Sequence, residues 1–248
     1  MGFRILLAGA AGAIGSRLVP LLLDAGHTVA GTTRSSAKAD KLRGRGVEPI
    51  VVDVFDADAL KEAVVTARPE IVIHQLTDLP PGIEPSRMAE AIVGNARIRD
   101  EGTRNLVLAA LAAGSRRLIG QSIAWAYATG RQPYREDAPL DGQAEGNRAI
   151  TVNGVIALER QILSSPPLEG VVLRYGRLYG PGTGVDAPPA SLPLHVDAAA
   201  YAALLAVGSK SSGVFNIAEP NDEVATEKAV GQLGWHADFR RPARPIAE

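Results

Sequence analysis

The feature that most constrains this chain is the run Gly9-Ala10-Ala11-Gly12-Ala13-Ile14-Gly15. It follows the short apolar segment Arg4–Ala8 and opens an amphipathic stretch, Gly15–Asp24. Glycines at these spacings permit a tight turn, a close approach of backbone to a pyrophosphate, and close helix packing. The helix that follows offers free N–H groups and the positive end of its dipole. A small-residue turn serving packing alone is the competing explanation. The complete strand–turn–helix context, with a second strand at Thr28–Thr32, favours dinucleotide binding through Gly9, Gly12, Ala13, Ile14 and Gly15.

The same alternation continues along the chain. Apolar runs at Glu48–Val52, Glu70–His74, Arg117–Gln121, Gly170–Arg174 and Gly213–Ile217 lack polar alternation, as expected of parallel strands covered on both faces. Helical patterns lie between them at Ala57–Ala67, Arg87–Ala113, Arg148–Leu163, Asp197–Val207 and Glu223–Leu233. Gly26 and Gly114 fall where left-handed C-terminal caps belong. This pattern predicts one α/β domain over 1–248, a Rossmann-type doubly wound parallel sheet. Tyr127–Asn147 and Gly180–Pro193 read as long loops after strands, on the side where such sheets bind ligands.

The second strand runs into Thr33-Arg34-Ser35, with no acidic residue for the ribose hydroxyls. Arg34 is suited to a 2′-phosphate and Ser35 to an added hydrogen bond, which favours NADP over NAD; a solvated surface arginine is the alternative. Asp53 and Val54 are expected at the adenine end, although Asp53 also fits a helix cap. A net charge of −1 gives no electrostatic case for nucleic acid. No apolar stretch approaches the ~20 residues of a membrane span, and the apolar run Ile5–Ala8 is too short for a signal peptide, so a cytoplasmic protein is expected. Cysteine is absent, and the histidines have no metal-site spacing.

The chain resembles the extended short-chain dehydrogenase/reductases, the group of nicotinamide-dependent epimerases, dehydratases and related reductases. Beside the GxxGxxG turn, the resemblance rests on Asp53-Val54, Val72-Ile73-His74, Gly102-Thr103-Arg104-Asn105-Leu106 and Gln121-Ser122-Ile123-Ala124. It continues in the segment from Arg174 to Gly182, His195-Val196-Asp197 and Val214-Phe215-Asn216-Ile217. It implies a Tyr-x-x-x-Lys pair on the helix after the fifth strand, with a nearby Ser. Ser122 matches the Ser. Counting back from Glu159 puts Thr151 at the tyrosine position and Val155 at the lysine position, and Ala149–Leu158 holds neither residue type. Threonine's hydroxyl has too high a pKa to replace an activated phenol.

Ser122, Tyr127 and Thr151 are therefore the expected proton-transfer residues, with Tyr127 otherwise a half-buried loop aromatic. Trp125, Asn153 and Tyr175 are expected to bind substrate; core packing or helix surface is the other reading of each. The segment between Gly182 and His195 is short for the family. The substrate-binding part, from 177–195 and 218–248, should therefore be small and suit a compact, aromatic or polyketide-like metabolite. The resemblance further implies a homodimer packed through Arg87–Ala113 and Arg148–Leu163, with Ile150, Val155, Leu158 and Ile162 as interface residues or as core. The expected function is hydride transfer from NADPH with a non-standard proton donor. The alternatives are a non-redox cyclase, isomerase or dehydratase, and an inactive NADP-binding sensor.

Overall fold

The computed structural model describes residues 2–79 and 85–241. Strands β1 (Arg4–Ala8), β2 (Thr28–Thr33), β3 (Glu48–Val51), β4 (Ile71–His74), β5 (Arg117–Ile123), β6 (Glu169–Tyr175) and β9 (Gly213–Ile217) form a seven-stranded sheet in the order β3-β2-β1-β4-β5-β6-β9. Every pairing is parallel. The strand order reverses between β1 and β4, where Ala8 pairs with His74, so the crevice of this doubly wound fold opens at their C-terminal ends.

The strands read as continuous apolar runs because each face has its own core. Ile5, Leu7, Ile71 and Ile73 point to one layer, with α1 (Ala13–Asp24), α7 (Val196–Gly208) and Trp235. Leu6, Ala8, Val72 and Leu118 point to the other, with α3 (Ala57–Ala67), α5 (Thr103–Ala112) and α6 (Gly146–Leu163). Gly26 and Gly114 follow the ends of α1 and α5 at φ of 81° and 70°, as the capping argument requires.

The long helical pattern Arg87–Ala113 is a composite. It comprises a turn at Pro85–Arg87, α4 (Met88–Arg97), a π-helical turn at Ile98–Gly102, and then α5. The sequence reading missed α2 (Ser36–Arg43), in which five of eight residues are polar or charged. Ser35 caps it, and only Ala39 and Leu42 are buried. It also missed the short parallel pair β7 (Arg177–Tyr179) and β8 (Pro193–His195), which spans the proline-rich loop.

The last helix, α8 (Glu227–Leu233), begins later than its pattern suggested. Ala229, Leu233 and Trp235 join the core beneath α7, and Phe239 stacks on Tyr201. The segment 218–241 thus closes the layer beneath α7, while 242–248 of the expected substrate-binding part lies outside the described residues. Of the apolar residues proposed for a dimer face, Val155, Leu158 and Ile162 are intramolecular core, and only Ile150 is exposed. No helix among the described residues is long and apolar enough to cross a membrane.

Candidate functional site

The glycine turn joins β1 to α1 at the crevice. Gly9 has φ of 92°, and a Cβ there would lie 2.6 Å from the carbonyl oxygen of Gln75. A Cβ on Gly15 would lie 2.1 Å from the carbonyl oxygen of Gly9. The chain's own packing therefore demands both glycines. Gly12 differs: it is extended and exposed, and a Cβ would meet only the Gly9 oxygen, at 3.3 Å. A side chain there would project from the mouth of the turn. The first helical bond of α1 runs from Ser16 N–H to the Gly12 oxygen (2.9 Å), so the N–H groups of Ala13, Ile14 and Gly15 precede the helical ladder. The result is a small concavity of backbone donors at a helix N-terminus, which suits a phosphate.

Arg34 lies exposed past β2, and no described residue pairs with its guanidinium. The Ser35 hydroxyl accepts from Lys38 N–H (3.4 Å) to cap α2, which leaves its proton free to donate. Asp53 lies just past β3. Its Oδ1 accepts from Phe55 N–H (3.0 Å), and Asp56, not Asp53, caps α3. Asn105 donates to the Val54 carbonyl oxygen (2.9 Å) and ties this loop to α5.

The residues expected to move protons are placed differently. The Ser122 hydroxyl is buried and donates to Glu159 (2.7 Å). Glu159 is held by a bidentate ion pair to buried Arg174, at 2.9 and 2.6 Å. Arg174 also donates to the Tyr127 hydroxyl (2.7 Å), which itself donates to Asn216 (2.6 Å). Tyr127 is 5% exposed, and burial pushes its phenol above the ordinary value. Ser122 and Tyr127 thus belong to a closed polar network linking β5, α6, β6 and β9, and neither hydroxyl is presented to the crevice. Where a proton-transfer role was expected of both, the structure turns both hydroxyls to internal partners instead.

The residues expected to bind substrate are also placed unlike one another. Tyr175 is fully buried, its hydroxyl accepts from Gln75 (3.4 Å), and desolvation raises its pKa. Asn153 is exposed on α6, about 200° around the helix from Thr151, with no described partner. Thr151 is half-buried. On its side of the helix, Val152 and Val155 join Ile123, Ala126 and the flank of Trp125 in a closed apolar cluster.

Trp125 is half-buried and bridges this cluster to a second one containing Leu192 and Val224. The guanidinium of Arg177 lies over its ring, 4.7 Å from the centroid. Past the C-terminal end of β5, these residues therefore bring together a ring, a cation and apolar walls. Three residues here escaped the sequence reading. Arg177 appeared only as part of a motif. The Gln75 amide is buried with its Oε1 unpartnered. Arg99 lies on the sheet-facing side of the α4–α5 helix, and the spacing of four between Asn95, Arg99 and Thr103 was the legible signal. His74, at the end of β4, is buried; its Nε2 is 3.1 Å from the Thr103 hydroxyl and its Nδ1 accepts from Leu76 N–H (3.2 Å). Burial, aided by the charge of Arg99, pushes its pKa down to about 4.

Fold and turn together define a dinucleotide-binding α/β protein of the doubly wound class. The profile of the NAD dependent epimerase/dehydratase family matches residues 5–212, and the chain belongs to that family. It is 41% identical over 251 residues to a 3-diazoavenalumate denitrifying reductase from a Streptomyces species, covering 90% of this chain and 78% of the relative. UDP-glucose 4-epimerase from Thermotoga maritima, solved with UDP-glucose, superposes with a TM-score of 0.77 at 19% identity, covering 96% of this chain and 94% of the other. The Bordetella bronchiseptica enzyme WbmG, solved with NAD, superposes with a TM-score of 0.73 at 22% identity, covering 97% of this chain and 91% of the other.

Proposed function

We propose that this protein is an NADP-dependent reductase that delivers hydride to a small, electron-poor aromatic substrate and supplies no proton of its own. The observation that carries this reading is the crevice-side face of α6. Half-buried Thr151 stands there where a phenol is expected, and behind it Val152 and Val155 are buried against Ile123, with no ionisable side chain among them. Among the relatives named above, the reductase is the one whose name specifies removal of a diazo group. An aryl diazonium is a substrate for which such a site is sufficient. Reduced nicotinamide, when bound, supplies a hydride whose electron pair forms the new ring C–H bond while the C–N bond breaks and dinitrogen leaves. That exchange is balanced without any proton.

The residues present fit the dinucleotide. Gly12 and the N–H groups of Ala13, Ile14 and Gly15 would hold the pyrophosphate, because a Cβ at Gly12 would occupy space that the protein itself leaves open. Arg34 and the Ser35 proton would take a 2′-phosphate, and Asp53 and Val54 would border the adenine. Trp125 would stack on the substrate ring, and the apolar cluster behind it would exclude water. Exposed Val93, Leu108 and Ile150, on α4, α5 and α6, would form the homodimer surface of a cytoplasmic enzyme.

The test is a titration with NADPH and NADH followed by an assay of NADPH oxidation and dinitrogen release with 4-carboxybenzenediazonium. Arg34→Ala should weaken NADPH binding about tenfold and leave NADH unchanged. Enzyme-dependent oxidation should match dinitrogen one to one. Equal binding of the two nucleotides would overturn the NADP assignment, and dinitrogen release without nucleotide oxidation would overturn the hydride assignment.

A further inference from the structure

Arg99 has no role in the glycine turn or in the polar network around Arg174. It lies in the π-helical turn Ile98–Gly102, on the helix face that looks at the end of β4. Asn95, four residues before it, accepts from the backbone N–H of Asp78 (2.9 Å). Thr103, four residues after it, meets His74. Arg99 thus sits between the two, level with residues 75–77, where the chain leaves β4 at the nicotinamide end of the crevice. Its neighbours point elsewhere: Arg97 stacks over Phe55 and pairs with Glu101, while Asp100 accepts from Gln161 (3.0 Å).

Arg99 is a half-buried residue, and its guanidinium has no hydrogen bond or ion pair among the described residues. Desolvation alone pushes its pKa down to about 10. A guanidinium withdrawn from water is costly unless an anion meets it, and five fixed N–H donors match a carboxylate in two-pronged fashion. π-helical turns recur at functional sites because the extra residue redirects a side chain. Here the redirected side chain is a cation, and α6, which packs against the same turn through Gln161 and Asp100, offers it no described ion-pair partner.

We propose that Arg99 is a substrate-binding residue that pairs with the carboxylate of an aromatic acid seated against Trp125. The proposal rests on the reading of this crevice as the substrate site, but not on the reaction being a hydride transfer. Arg177, over the Trp125 ring, flanks the same space from β7 and adds positive potential.

The test is calorimetric titration of the NADP⁺-loaded protein with cinnamate and with neutral cinnamamide, beside NADP⁺ affinity measured separately. The native protein should prefer cinnamate by about tenfold or more. Arg99→Met should bring that preference below about twofold while NADP⁺ affinity changes by less than about threefold, and Arg99→Lys should keep part of the preference. Cinnamate should also raise the melting temperature of the native protein more than cinnamamide does, a difference that Arg99→Met should abolish. Preference retained in Arg99→Met, no preference or no binding in the native protein, or an equal loss of NADP⁺ affinity would each overturn the proposal. The last result would assign the cation to the dinucleotide. Because no turnover is measured, failure of hydride transfer and failure of this pairing are distinguishable.

Discussion

The two halves of the crevice are built on opposite terms. On the β1–α1–β2 side the protein leaves polar groups unpaired: helix N–H donors at Ala13–Gly15, the Arg34 guanidinium, and a glycine at position 12 that internal packing scarcely requires. On the β5–α6–β6 side, the hydroxyls of Ser122 and Tyr127 are consumed internally by Glu159, Arg174 and Asn216, and the face beside Thr151 is apolar. The first half is prepared for a ligand's charges. The second keeps its hydroxyls in internal bonds, which is what the proposed proton-free hydride transfer requires. Unsatisfied groups at a cavity point to binding, whereas a satisfied buried network points to architecture.

Mutations can break this contrast. Arg174→Met strands buried Glu159, and unfolding by denaturant should show a loss of about 3–5 kcal/mol. A stability change below about 1 kcal/mol would mean that the network is not structural. Next comes His74. Its folded pKa of about 4 lies below the unfolded value, so the unfolded chain binds the proton first as pH falls. Stability should therefore be intact above about pH 6.5 and decline by about 3 kcal/mol toward pH 4. His74→Gln should flatten that part of the profile, and an unchanged slope would refute the assignment.

Gly12→Asp places a carboxylate at the mouth of the turn and should weaken NADPH binding about a hundredfold, with the melting temperature nearly unchanged. If the variant bound normally, the prepared half would lie elsewhere. The smallest effect sharpens the comparison from the other side. Thr151→Val should alter kcat by less than about twofold, since its hydroxyl moves no proton. A drop of about a hundredfold would restore Thr151 as a proton donor.

The glycine turn between β1 and α1 was legible in the sequence because its demands are local. Tight turns need glycine, and a strand–turn–helix succession fixes where Gly9, Gly12 and Gly15 fall. All seven strands of the main sheet were legible too, since burial on both faces leaves uninterrupted apolar runs. The β5–α6–β6 side was less so. Ser122 and Tyr127 carry the right chemistry, but whether a hydroxyl faces a cleft or a buried glutamate depends on partners 37 and 89 residues away. Asn153 lies away from Thr151 because proximity in sequence is not proximity on a helix face. Arg99 was overlooked because a charge in a helix reads as solvated surface until the sheet beneath it is known.

The most direct test of a proton-free hydride transfer uses NADPH deuterated at the transferring C4 position, with 4-carboxybenzenediazonium in ordinary water, beside the reciprocal experiment with unlabelled NADPH in D₂O. The account predicts benzoate carrying one deuterium at the former diazonium carbon in the first experiment and none there in the second, each dependent on the enzyme. Deuterium acquired from D₂O, or product formed without label from the nucleotide, would contradict it.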